Sequence, residues 1–150
     1  MKRNLLFLVI LLFALASCSE EKVDTPAKNL AEKEKTIKAY FSGWEKKDWN
    51  TIEKNLDAAF TFTSPNKDDH LPIDKFKAKC WEQAEHIDHV NFIRFAESGT
   101  GAYVTYQLFT KDSASFRNTE YFDFANGKIK SIEVFFGTGE GSEGFPTNKK

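Results

Sequence analysis

The chain has 150 residues, with 21 basic and 22 acidic side chains, two cysteines, and 41% hydrophobic and 15% aromatic residues. That length suits one domain, and 15 phenylalanines that must be buried exclude disorder or a coiled coil for most of the chain. A formal charge of -1 offers no basic surplus for phosphate backbones, so no nucleic-acid partner is expected.

Lys2 and Arg3 precede an unbroken apolar run of 12 residues, Leu5 to Ala16. A bilayer-spanning helix needs about 20 such residues, so the run has the proportions of a signal peptide rather than a permanent anchor. Leu15-Ala16-Ser17-Cys18 follows it and resembles the lipobox of bacterial lipoproteins. That resemblance implies removal of residues 1–17, lipidation of Cys18, and a cell-envelope location through a lipid membrane anchor. In a Gram-negative cell it implies the outer membrane, on its periplasmic side or at the cell surface, because Ser19 replaces the usual inner-membrane retention aspartate. The mature chain then holds 19 basic and 22 acidic residues, a charge of -3.

Residues 18–27 are charged, contain Pro26 and lack periodicity, so they read as a tether. Leu30, Ile37, Tyr40, Phe41 and Trp44 recur at helical spacing and predict a first amphipathic helix of roughly 20 residues. Asp48 is placed to cap a short second helix bearing Trp49, Ile52 and Leu56. Ala59 to Thr63 alternates as a strand, closed by Ser64-Pro65-Asn66, and the polar stretch Asn66 to Leu71 reads as a loop. Pro72 opens a third helix with Ile73, Phe76, Cys80 and Trp81 inward. Its outward Lys75, Lys77 and Lys79 read as a solvated face. Strands then follow at His86–Ala96, Ala102–Thr110, Ser115–Phe124 and Lys128–Phe136, the last two joined by Asn126-Gly127, a tight-hairpin signal. Gly137 to Lys150 holds four of the eight glycines and reads as a flexible tail. This order predicts an α+β domain over residues 28–137, with three N-terminal helices packed in the concave face of a curved, mostly antiparallel sheet. Such a sheet leaves a cone-shaped apolar cavity.

Strand alternation selects the chemistry. Phe116, Asn118, Glu120, Phe122 and Phe124 share one face, which sets the Glu120 carboxyl among phenylalanines. A charge there costs several kcal/mol unless it is paired or protonated. Glu120 is therefore either a functional acid with a raised pKa or a structural carboxylate paired with a tyrosine or arginine, Arg94 and Arg117 included. Tyr40, beside Phe41 and Trp44, is either a core tyrosine or a hydroxyl facing a ligand. Cys80 reads as a small buried hydrophobe rather than a nucleophile. His86 and His89 point to opposite faces of a strand, so no metal site is read from them. No phosphate loop, dinucleotide fingerprint or serine-hydrolase motif is present, and no cofactor is expected.

Ile37 to Asp48 with Leu56-Asp57, and Glu120 to Ile129 through Val134-Phe135-Phe136-Gly137, resemble the opening helices and closing hairpin of the nuclear transport factor 2-like superfamily. The likeness is greatest to its SnoaL-like and ketosteroid-isomerase-like members, and it implies their cone-shaped fold. In the isomerases a tyrosine and a protonated carboxylic acid hold an enolate oxygen while a second carboxylate moves the proton. The resemblance puts the tyrosine at Tyr40, the protonated acid at Glu120 and the base at Ser64, which does not titrate near neutral pH. Tyr40 and Glu120 are thus the candidate catalytic pair; Asp68, Asp69 or His70 could swing in as a base, but nothing in the sequence requires it.

The expectation is a lipid-anchored binding protein for a small apolar molecule, acting without catalysis. The expected ligand contacts are Tyr40, Trp44, Phe62, Ser64, Phe116, Glu120 and Phe122. An isomerase, cyclase or dehydratase acting on a carbonyl compound is the alternative. A further alternative is an interaction module with a filled cavity, its outer sheet face a homodimer interface.

Overall fold

The computed structural model describes residues 26–135. The expected signal peptide, Cys18, the stretch expected as a tether up to residue 25 and the glycine-rich tail lie outside the described residues. Two helices come first, α1 (Pro26–Glu45) and α2 (Trp49–Lys54). A hairpin of β1 (Leu56–Ser64) and β2 (Asp68–Pro72) separates them from α3 (Ile73–Cys80), which passes into a 3-10 turn at Trp81–Glu85. The strands β3 (Ile87–Ser98), β4 (Gly101–Thr110), β5 (Ser115–Ala125) and β6 (Lys128–Val134) complete the chain.

The class is α+β, with two corrections to the expected arrangement. Only two helices precede the sheet, since α3 follows the first hairpin. The stretch expected as a loop from Asn66 to Leu71 contains a strand, β2. Its polar sequence hides it, because Asp68 and His70 interrupt any apolar alternation. Helix α1 begins at Pro26, two residues before the expected start of the domain, where proline's fixed φ and missing N–H suit a helix start.

The six strands form one mixed sheet in the order β2-β1-β6-β5-β4-β3. Every neighbouring pair is antiparallel except β1 and β6, which run parallel. Register shifts interrupt β1 against β2, β3 against β4 in two places, and β5 against β6 at Asp123/Phe124. Each such irregularity adds local twist and bends the strand, which is how an open sheet curls around helices. The Asn126-Gly127 turn has positive φ at both residues, 52° and 75°, as a tight primed hairpin requires.

Alternation decides which face is covered. Ala102, Val104, Tyr106 and Leu108 of β4 are buried, as are Asn118, Glu120 and Phe122 of β5. Ile37, Tyr40, Phe41 and Trp44 of α1 lie against them, with the Phe41 ring 4.8 Å from Tyr106 and 6.0 Å from Phe122. Phe76 of α3 is buried as a wedge among Trp44, Trp49, Phe60 and Phe62. The opposite face carries half-exposed Tyr103, its ring 4.8 Å from Tyr121 and 6.1 Å from Phe135.

The turn between α1 and α2 is set by a cap and a glycine. Asp48 accepts hydrogen bonds from the Thr51 backbone N–H at 3.2 Å and the Thr51 hydroxyl at 2.6 Å. These bonds hold its carboxyl below the ordinary carboxylate range. Gly43 lets the helices touch: a methyl group there would stand 2.5 Å from Ile52 Cγ1 and 3.0 Å from the Asp48 carbonyl oxygen. Ile52 is fully buried and has nowhere to retreat. Alanine in a helix interior gains about 1 kcal/mol over glycine, but overpacking costs about 1–3 kcal/mol. Gly43→Ala is therefore expected to destabilise the domain in urea unfolding; a gain in stability would show that α1 and α2 pack less tightly than described.

Candidate functional site

A cavity of about 560 Å³ opens between α1, α3 and the sheet. Tyr40, Phe41, Trp44, Phe62, Phe76 and Leu108 supply its apolar wall. Polar groups enter at two places, and they behave in opposite ways.

The first is on β4 and β5. The register places Tyr106 opposite Asn118 and Val104 opposite Glu120, so Tyr106 and Glu120 are diagonal neighbours on the buried face. The Tyr106 hydroxyl donates to Glu120 Oε1 at 2.5 Å. The Asn118 amide donates to the Tyr106 hydroxyl at 3.0 Å and to the same Glu120 oxygen at 3.3 Å. Both donors converge on Oε1. No cation neutralises the carboxyl among the ion pairs of the described residues, so neither Arg94 nor Arg117 plays that part. Desolvation then dominates and pushes the Glu120 carboxyl up to about 7, with the Tyr106 hydrogen bond pulling weakly the other way. The phenols of Tyr40 and Tyr106 are also raised well above their ordinary value, first by burial and then by the charge Glu120 would carry.

The second polar place is on β1, β2 and α3. The Ser64 hydroxyl donates to Asp68 Oδ2 at 2.6 Å, and the Lys79 ammonium holds Asp68 Oδ1. Burial opposes the charge on Asp68, but the bonds from Lys79 and Ser64 outweigh it and hold the carboxyl below its ordinary range. A bulge aims Asp68 inward. Ser64 pairs with Asp68 but Phe62 with Leu71, so β2 carries an extra residue, and His70 takes a left-handed φ of 51° there. Cys80 lies nearby, and burial pushes its thiol up to about 11, so it is not a thiolate at neutral pH.

Of the residues expected at the site, Tyr40, Trp44, Phe62, Ser64, Phe116 and Glu120 line this cavity. Phe122 does not. It is fully buried one step further along β5, beneath the rings of Tyr40 at 5.8 Å and Phe41 at 6.0 Å. The partner of Glu120 also differs from expectation: Tyr106 bonds it, whereas Tyr40 shares the cavity with its ring 6.1 Å from that of Trp44. Tyr106 was detectable in the sequence. A turn around Asp112 sets Tyr106 opposite Asn118, and Tyr106 is the one polar member of Ala102, Val104, Tyr106 and Leu108. Phe116 is half exposed, because it lies at the open end of β5 and not among its buried neighbours. Among the described residues no cluster of His, Cys, Asp and Glu could hold a metal ion.

Raising a carboxyl above its unfolded value of about 4.3 means that the folded state binds the proton more tightly. That contribution is fully present below the unfolded pKa and is lost as pH rises through about 7. The difference amounts to about 4 kcal/mol at most. Glu120→Gln keeps an acceptor for Tyr106 without a titrating charge, so it is expected to flatten the fall in stability between acid and neutral pH and to exceed the unmodified protein above it. Urea unfolding across this range checks it. An unchanged pH profile would mean that Glu120 is ionised at no cost. Glu120→Lys, which puts an ammonium in the same place, is expected to be severely destabilising.

No family model matches the sequence, and no curated protein matches it. Solved structures do match the fold. An NTF2-like protein of unknown function from Burkholderia pseudomallei is 19% identical with a TM-score of 0.54, covering 70% of this chain and 90% of its own. One from Burkholderia xenovorans is 12% identical with a TM-score of 0.60, covering 71% and 83%. One from Cytophaga hutchinsonii is 14% identical with a TM-score of 0.54, covering 69% and 88%. The chain has the fold of the NTF2-like proteins.

Proposed function

We propose that this protein is a lipid-anchored cell-envelope protein whose cavity binds a small, largely apolar molecule without transforming it. The observation that carries this reading is an open, aromatic-walled cavity of about 560 Å³ with Glu120 at one wall. That volume lies within the ordinary range for small-molecule sites, about 300–1,000 Å³. A cavity filled by its own tryptophans would have favoured an interaction module instead. Oε1 of Glu120 is committed to Tyr106 and Asn118, so the second carboxyl oxygen is the one left for a ligand. Below about pH 7 it carries a proton and can donate to a neutral acceptor such as a carbonyl or ether oxygen.

The enzymatic reading has one observation in its favour. Asp68 brings a carboxylate to Ser64, where the resemblance to the isomerases calls for a base. The Lys79 ion pair and the lowered pKa make that carboxylate a weak proton acceptor at neutral pH. A site that clamps its only ionised carboxylate favours retention of a ligand over proton transfer.

Native mass spectrometry of the protein purified from its own cell tests both halves of the proposal. The expected result is a noncovalent small-molecule adduct that is lost on denaturation, on a chain that begins at Cys18 and carries acyl mass there. A native mass with no adduct would overturn the binding reading. An unacylated Cys18, or a chain retaining residues 1–17, would overturn the anchor.

A further inference from the structure

We propose, building on the small-molecule reading of this cavity, that its ligand is an amphipathic monoanion. Its aliphatic or arylalkyl chain lies on the aromatic walls, and its carboxylate stays at the mouth against Arg117. The exposure of the lining residues separates mouth from interior. Asn66, Lys79, Gln83, Phe116 and Arg117 line the cavity and are exposed, so they form its rim, whereas Tyr106, Asn118, Glu120 and Phe62 are buried and form its depth.

The charges on those two zones fix the direction in which such a ligand enters. Among the described residues the rim holds two cations, Lys79 and Arg117, and no exposed carboxylate. The carboxylate beside the rim, Asp68, is buried and paired with Lys79, so it offsets that charge and leaves Arg117 as the uncompensated cation among the described residues of the rim. Arg117 forms no ion pair among the described residues. Its guanidinium keeps a planar fork of N–H donors, whose spacing matches a carboxylate. Lys79 is half exposed and, with one bond to Asp68, retains further donors.

The interior has the opposite character. A carboxylate carried to the depth of the cavity would lose its hydration beside Glu120, with no cation to replace it. An ammonium would meet the cationic rim on entry. A neutral chain satisfies the walls but leaves the Arg117 guanidinium facing solvent. The ligand that satisfies both zones has an apolar body and one negative head. The sequence offered Arg117 only as an ion-pair partner for Glu120, and alternation puts it on the outer face of β5. It reaches the cavity from the strand's third residue, near the end of the sheet at the rim.

Calorimetric titration of the full-length protein with decanoate, decanol and decylamine at about pH 6 separates these cases, since the three probes share one chain and differ only in head charge. Decanoate is expected to bind about tenfold more tightly than decanol, with decylamine the weakest. In Arg117→Gln the ratio of decanoate to decanol affinity is expected to fall toward one. In Arg117→Glu the order of decanoate and decylamine is expected to reverse. Equal binding of decanoate and decanol by the unmodified protein, or a ratio untouched by both substitutions, would overturn the anionic-ligand proposal and leave the cavity reading intact. Failure of all three probes to bind would overturn both.

Discussion

The Glu120 carboxyl is carried to the buried face of the sheet with 8% of the residue exposed, and much of the site follows from that one desolvated group. β5 carries it inward between Asn118 and Phe122 because side chains alternate. β4 answers with Tyr106 because the hairpin register sets the two on a diagonal. The phenol supplies a hydrogen bond but no charge, so it satisfies the oxygen without making ionisation easy. An arginine in that place would have produced a buried ion pair, and the cavity would lack a neutral acid. Packing serves the same end: Tyr40, Phe41 and Trp44 of α1 close over the sheet while Phe76 of α3 fills the space beside them.

Two carboxyl groups in one cavity are thereby driven to opposite states. Glu120 has burial and a phenol, and holds its proton to about 7. Asp68 has an ammonium and a hydroxyl, and is ionised below the ordinary carboxylate range. Groups split in this way often mark an acid and a base. Here the ionised member, on β2 beside the rim, is pinned by Lys79 of α3 and offsets part of the positive charge at the entrance. The charge pattern therefore runs from a neutral interior to a cationic mouth, a gradient suited to ordering an amphipathic guest.

Much of this was legible in the sequence where periodicity is strong. The spacing of Ile37, Tyr40, Phe41 and Trp44 gave α1, Asp48 marked the cap of α2, and Asn126-Gly127 marked a hairpin. Period-2 alternation alone put Glu120 on the buried face. What escaped notice depends on contacts between segments distant in sequence. β2 is too polar to stand out, and its bulge at His70 breaks the alternation that would announce it. Asp68 consequently read as part of a loop, one of three residues that could swing in beside Ser64, and nothing in the sequence required its bond there. Phe122 read as a contact because it shares a face with Glu120, yet a face says nothing about depth, and the α1 rings cover that position. Tyr40 drew attention through family likeness, while Tyr106 passed as one more core residue in an apolar strand.

The side-chain carboxyl resonance of Glu120, followed by NMR as pH is varied, addresses the central claim most directly. The account predicts a midpoint of about 7 and the loss of that titration in Glu120→Gln. A midpoint at or below about 4.3 would contradict it, because Glu120 would then be an ordinary ionised carboxylate and the cavity would hold no neutral acid.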